Sequence, residues 1–180
     1  PTEMYVIPNR RRETHVVPLP VSFETPLRTG NLRDPNGPQI TFASESFIDE
    51  LAMAAQADPV EFRLKLLADD TEDDAYRRTR SITVIQEAAA AFGWDTRVSP
   101  KPLGTGTILT GRGIAYCYRG STVIANIAEV EVDRGNGHVW VKRIVCAHDC
   151  GLVINPVGLR NTIEGNLLHG LSRALCEEVQ

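Results

Sequence analysis

The sequence predicts a mixed α/β fold, an α+β arrangement of helices followed by a β-hairpin, a strand and one long closing helix. Three observations predict it. Apolar residues recur at three- and four-residue steps across residues 44–92, the period of an amphipathic helix. A Pro/Gly stretch at 100–106 then separates that half from three extended apolar runs. The last run passes through Asp149-Cys150-Gly151 to Asn155-Pro156, a good N-cap followed by a residue suited to the first helical position.

The chain has 180 residues, 42% of them hydrophobic, which is enough to bury a core in one domain or parts of two. Its net charge of −4 argues against a nucleic-acid surface, and Arg10-Arg11-Arg12 is a short run beside Glu13 that reads as a solvated loop. No run approaches the roughly 18 apolar residues of a membrane span. No secretory signal opens the chain, and both Pro1 and Gln180 read as cuts in a longer polypeptide, leaving a cytoplasmic or periplasmic setting equally open.

Taken in order, residues 4–7 and 15–19 read as short extended segments around a charged turn, and Pro18, Pro20 and Pro26 keep the following backbone extended. Residues 27–39 form a long Gly/Asn/Pro loop carrying Arg28 and Arg33. Its functional reading is a guanidinium meeting an anionic ligand, and its bland reading is a solvated surface loop. A helix capped by Ser44 follows, with Phe47, Ile48, Leu51 and Ala55 on its buried face and Glu45, Asp49 and Glu50 off it. Asp58-Pro59-Val60-Glu61 starts a second helix with Phe62, Leu64, Leu66 and Leu67 buried, so the two make a helical hairpin with a short joint. A third helix spans residues 81–92, closed by Gly93, with Trp94 packing back on it.

In the second half, residues 113–118, 123–132 and 138–146 read as strands. Asp133-Arg134-Gly135-Asn136-Gly137 turns the last two into a hairpin, with Ile127, Val130 and Val132 facing Val139, Val141 and Ile144 as core. The closing helix begins near Pro156 and presents Ile163, Leu167, Leu168, Leu171 and Leu175 as one apolar face. Gly165 and Gly170 each cost that helix about 1 kcal/mol relative to alanine, which asks for close approach of a backbone or a ligand.

Cys117, Cys146, Cys150 and Cys176 are too few for a disulfide scaffold in a chain this long and form no CxxC pair, so buried thiols are the default. Cys146, His148 and Cys150 alternate along one strand and would share a face. Three such ligands suit zinc, but no fourth is evident; packing or cofactor-wall duty is the plainer reading.

Four stretches then carry a family resemblance. PLRTGNLRDPNGPQ resembles an arginine-glycine loop closing on Gly-Pro-Gln, with Arg28 in the arginine position. ESFIDELAMAAQADPVEFRLKLL resembles the helix pair after that loop. IANIAEVEVDRGNGHVWVKRIVCAHDCGLVINP and NTIEGNLLHGLSRALCEE resemble a hairpin, strand and glycine-interrupted helix that follow in the same order. Together they resemble an internal piece of the large molybdopterin-binding subunit of the xanthine oxidase family of molybdenum hydroxylases, nearest the isoquinoline- and nicotinate-dehydrogenase-like branch.

The resemblance implies parts of two molybdopterin-binding lobes, residues 1–99 ending the first and residues 100–180 starting the second. It implies an oxidoreductase that hydroxylates an N-heterocycle or an aldehyde with oxygen from water. The molybdenum is held by its pterin, expected in the cytosine dinucleotide form, so no protein ligand to the metal is expected. The implied cofactor-binding residues are Leu27, Arg28, Asp149, Cys150, Gly151, Asn161, Glu164 and Gly165, with Asn161 and Glu164 as the polar members of the family's Gln-x-Glu-Gly motif. No catalytic residue falls in the chain, because the family's glutamate base is expected beyond Gln180. Implied partners are a small-molecule substrate, the remainder of the large subunit and an iron–sulfur subunit or domain. The chain alone is expected to be inactive. A non-catalytic structural or interaction fragment, or a small thiol or zinc module at Cys146, His148 and Cys150, are the alternatives.

Overall fold

The computed structural model describes residues 4–7, 9, 11, 13–15, 34, 37–68 and 75–178. Their elements run α1 (Gly37–Ala54), α2 (Pro59–Ala68), α3 (Ala75–Phe92), β1 (Ile108–Arg119), β2 (Thr122–Asp133), β3 (Val139–Asp149) and α4 (Pro156–Cys176). This is the mixed helix, hairpin and long-helix fold expected. The chain divides into two compact units. One contains residues 1–78 and 96–100, and the other residues 79–95 and 101–180, so most of α3 goes with the strands rather than with the helices before it.

In the first unit, α1 starts at Gly37 and not near Ser44. The Asp34 carboxylate accepts the Gly37 N–H at 3.2 Å, and Pro38 is tolerated because first-turn N–H groups have no intrahelical partner. The helix ends at a left-handed Gln56, where the N–H groups of Gln56 and Ala57 return to the carbonyls of Met53 and Ala52. Asp58 then caps α2, accepting from Val60 at 2.9 Å and Glu61 at 3.1 Å, as the Asp-Pro pair predicts.

Two expectations about which side chains are buried fail here. Phe47 is 57% exposed and Ala55 is exposed, while Glu45 is buried. The core holds Tyr5, Ile48, Ala52, Val60 and Leu67, and at its centre Arg63 with no exposed surface. Arg63 donates to Glu45 at 3.0 Å, to Asp49 at 2.8 Å and to the Pro59 carbonyl at 3.0 Å, and the Tyr5 hydroxyl donates to the other Glu45 oxygen at 2.8 Å. Burial disfavours the guanidinium charge, but the Glu45 and Asp49 carboxylates outweigh it and push Arg63 above its ordinary pKa. The paired charge takes the place that hydrophobic residues were expected to fill.

In the second unit, the strands form an antiparallel meander in the order β1-β2-β3. A tight turn at Gly120-Ser121, both at positive φ, joins the first pair with Arg119 opposite Thr122. Of the two turn glycines between β2 and β3, only Gly137 takes positive φ, and the Asp133 carboxylate braces the turn by accepting the Gly135 N–H at 2.7 Å.

The sheet core lies nearer the β1–β2 turn than expected. Ile114, Tyr116, Val123, Ala125 and Ile127 are buried on one face, whereas Val130, Val132, Val139, Val141 and Ile144 are half-buried. On α3, Ser81, Val84, Ile85, Ala88 and Phe92 are buried. The Tyr116 hydroxyl donates to Ser81 at 2.6 Å and Arg143 donates to the Phe92 carbonyl at 2.9 Å, so α3 is tied to that face. Helix α3 ends at Gly93 with φ +74°, where Gly93 and Trp94 donate back to Ala90 and Ala89 and the Trp94 ring sits 6.0 Å from that of Phe92.

Candidate functional site

The candidate site is built at the exit of β3. Register places Val145, Ala147 and Asp149 on the same face as Ile127, Ala125 and Val123, the face tied to α3. Asp149 therefore points toward α3, where Arg80 meets it. Arg80 Nε donates to Oδ2 at 2.7 Å, Nη2 to Oδ1 at 2.8 Å, and Nη2 also to the Asp149 backbone carbonyl at 2.9 Å. The same carboxylate accepts the Gly151 N–H at 2.8 Å. Those bonds, the Arg80 side chain first and the Gly151 N–H second, hold Asp149 down at a pKa of about 2. The Asp149 carboxylate is thus held by Arg80 and the Gly151 N–H.

Beyond Asp149 the backbone turns at Gly151, with φ +82° and open space where a Cβ would stand. Leu152 and Ile154 follow, 86% and 84% exposed. Asn155 caps α4 from an extended conformation, its Oδ1 accepting the Gly158 N–H at 2.9 Å. Gly158 leaves room for this cap, because a Cβ there would stand 2.9 Å from Asn155 Nδ2 and the side chain would have to shift.

Helix α4 has no fully buried residue. Leu159, Ile163, Leu167 and Leu171 are half-buried at four-residue spacing, whereas Val157, Asn161, Glu164, Gly165 and Leu168 make an exposed stripe that adjoins that side. The expected apolar face thus divides: Leu168 and Leu175 are exposed and do not join Ile163, Leu167 and Leu171. Among the described residues, leaving aside the chain neighbours and the helix's own backbone, no atom comes within 4 Å of a Cβ built on Gly165 or Gly170. Counting back from Glu164 also puts Thr162, rather than Asn161, at the first position of a Gln-x-Glu-Gly pattern. The Thr162 hydroxyl donates to the Gly158 carbonyl at 2.9 Å.

Of the expected site residues, the structure brings Asp149, Cys150 and Gly151 together in one turn and sets Asn161, Glu164 and Gly165 along the exposed stripe of the helix that follows. Leu27 and Arg28 lie outside the described residues. The sequence reading missed Arg80 because the third helix was expected to begin at Ser81. Extending the period of Ser81, Val84, Ile85 and Ala88 back one turn would have brought Arg77, Arg78 and Arg80 onto α3.

Thiol and zinc chemistry has little support. Among the described residues no group of three or more His, Cys, Asp or Glu is placed to hold a metal ion. Cys146 sits on the sheet face turned away from α3, beside Asn126 on β2, and burial pushes its thiol pKa up, which keeps it from being a reactive thiolate. Burial lowers the pKa of His148 on the same face, with Asp149 opposing. Cys176 is exposed, contrary to the expectation of buried thiols throughout.

The residues at hand fit an organic cofactor with anionic and hydrogen-bonding edges. Gly151 offers backbone without a side chain, the start of α4 is exposed, and Asn161 and Glu164 stand exposed on the helix that follows. Residues 39–180 match the molybdopterin cofactor-binding domain, and the chain belongs to that family, within the xanthine oxidase family of molybdopterin-binding proteins.

Curated relatives agree. The chain is 39% identical over 165 residues to a nicotinate dehydrogenase subunit of Pseudomonas putida, covering 86% of this chain and 13% of that protein. It is 34% identical over 142 residues to the beta subunit of isoquinoline 1-oxidoreductase of Brevundimonas diminuta, covering 79% of this chain and 16% of that protein. It is 34% identical over 124 residues to the aldehyde oxidoreductase molybdenum-binding subunit PaoC of Escherichia coli K12, covering 64% of this chain and 16% of that protein. The chain thus spans less than a fifth of the length of each of these three relatives. Among the described residues, no helix is long and apolar enough to cross a membrane.

Proposed function

We propose that the chain supplies part of the cofactor and substrate cleft of a molybdenum hydroxylase, an oxidoreductase that hydroxylates an N-heterocycle or an aldehyde with oxygen taken from water. The observation that carries this reading is the family match over residues 39–180, which covers the Asp149–Gly151 turn and the outward stripe of α4. The named relatives act, by their names, on nicotinate, isoquinoline and aldehydes, and this chain shares that substrate class.

When bound, the molybdenum–pterin group supplies the redox chemistry, and the protein supplies binding, orientation and exclusion of water. Cys150 and Gly151 present backbone at a turn with no side chain in the way. Asn161 and Glu164 offer an amide and a carboxylate for polar edges, and Gly165 admits close approach along α4. Leu27 and Arg28 are further cofactor-binding residues, a guanidinium being suited to an anionic edge of a pterin in its cytosine dinucleotide form. Residues 1–99 close one molybdopterin-binding lobe and residues 100–180 open the next. The exposed apolar groups Leu152 and Ile154 are covered by the remainder of the large subunit. The general base is a glutamate of that remainder, and electrons leave to an iron–sulfur subunit or domain.

The test is turnover by the full natural polypeptide, molybdenum-replete, in ¹⁸O-enriched water with nicotinate, isoquinoline and an aromatic aldehyde. Label in the hydroxylated product or carboxylic acid is expected. Turnover of none of the three, or product without label, would overturn the assignment.

A further inference from the structure

We infer that Arg80 is a positioning residue for the cofactor-facing turn, acting through Asp149; this rests on the reading of Cys150–Gly151 as cofactor-facing. Arg80 stands on α3, next to Ser81, whose hydroxyl takes the Tyr116 bond at 2.6 Å, so its backbone is anchored where helix and sheet are tied. From there it grips Asp149 through both carboxylate oxygens and the backbone carbonyl, which fixes the side chain and the last peptide of β3 together.

Asp149 passes the constraint on by accepting the Gly151 N–H at 2.8 Å, and that bond sets the residue that turns at φ +82°. Gly151 in turn leads to the Asn155 cap and the first turn of α4. Named hydrogen bonds thus run from α3 through Asp149 to Gly151, and the backbone of residues 152–154 carries the chain from there to the Asn155 cap, every member lying in the second compact unit.

A fork of this kind discriminates sharply between substitutions. Lysine keeps the charge but not the paired N–H geometry, and alanine removes both. Outer partners that orient groups at metal and cofactor sites change affinity or activity about 10- to 100-fold when lost, which sets the expected scale.

The experiment uses the full natural polypeptide in its assembled complex, as wild type, Arg80→Lys, Arg80→Ala, Asp149→Asn and the exchange pair Arg80→Asp with Asp149→Arg. Molybdenum per polypeptide, the Mo(V) paramagnetic resonance signal and hydrogen exchange of peptides covering residues 150–158 and 108–133 are read side by side. Arg80→Ala is expected to lower molybdenum content about 10-fold and to speed exchange in 150–158 while leaving 108–133 unchanged. Arg80→Lys should fall between, and the exchange pair should recover part of the protection. Wild-type molybdenum, signal and exchange in Arg80→Ala would overturn the inference. So would a loss of protection spread equally over 108–133, since that marks general unfolding. A wild-type complex lacking molybdenum would sink the cofactor reading alone, and faster exchange at 150–158 in Arg80→Ala would still support the positioning of the turn.

Discussion

Arg63 and Arg80 each hold a carboxylate, but in opposite surroundings. Arg63 is sealed in the first compact unit against Glu45 and Tyr5, with the half-exposed Asp49 at its rim, and its own side chain has no exposed surface. Arg80 reaches Asp149 where 37% of the carboxylate side chain remains exposed, at the start of a turn whose next residues are almost fully open. The difference teaches what each pair is for. A sealed pair fixes how α1, α2 and the segment around Tyr5 pack, and its loss leaves an uncompensated buried charge. A pair at an open edge contributes less to stability and more to where the backbone beyond it points.

The largest expected effect comes from breaking the sealed pair. Arg63→Ala should destabilise the protein by about 3–5 kcal/mol, since Glu45 would stay buried without its cation. A denaturant titration showing a loss under about 1 kcal/mol would make the two arginines equivalent and erase the contrast. Arg80→Ala should cost less, about 1–2 kcal/mol, because the bond is bidentate but solvent screens the exposed side of Asp149. The same titration checks the ranking.

A third comparison lies within α4. Asn155→Ala should cost about 1 kcal/mol by removing the N-cap. Gly158→Ala alone should be near neutral, because the gain in helix propensity is offset by the clash with Asn155. In the Asn155→Ala background that clash is gone, and Gly158→Ala should stabilise by about 1 kcal/mol. Equal effects of Gly158→Ala in both backgrounds would deny the cap its role.

The smallest effect is acid loss at the open edge. The Asp149 pKa is depressed from 3.8 to about 2 in the folded chain, so its contribution is fully present above the higher value and fades as pH falls through the lower. Exchange protection of residues 150–158 should therefore hold at pH 5 and decline between about pH 4 and pH 2. Protection already lost near pH 6 would point to another group.

Local signals in the sequence translated well into structure. Asp58-Pro59 starts a helix, Gly93 ends one, Asn155-Pro156 starts another and Asp133–Gly137 makes a turn, because each depends on backbone geometry decided within a few residues. Side-chain partners were not legible. Arg63 occupies the buried period shared with Val60 and Leu67, and a charge there looks solvated until Glu45, 18 residues earlier, is brought against it. Arg80 and Asp149 are 69 residues apart, so only the folded sheet and α3 reveal the arginine that holds this carboxylate. Leu168 looked like core by spacing with Leu171 and Leu175, but α4 buries only the side bearing Ile163 and Leu167, and only partly. Leu27 and Arg28, read by resemblance, lie outside the described residues.

The measurement that bears most directly on the central claim is the molybdenum and pterin content of the full natural polypeptide, purified without chelators from cells grown with ample molybdate. Near-stoichiometric amounts of both are predicted. Protein that is intact and folded, yet free of molybdenum and of pterin, would contradict a cofactor cleft built on the Gly151 turn and the open stripe of α4.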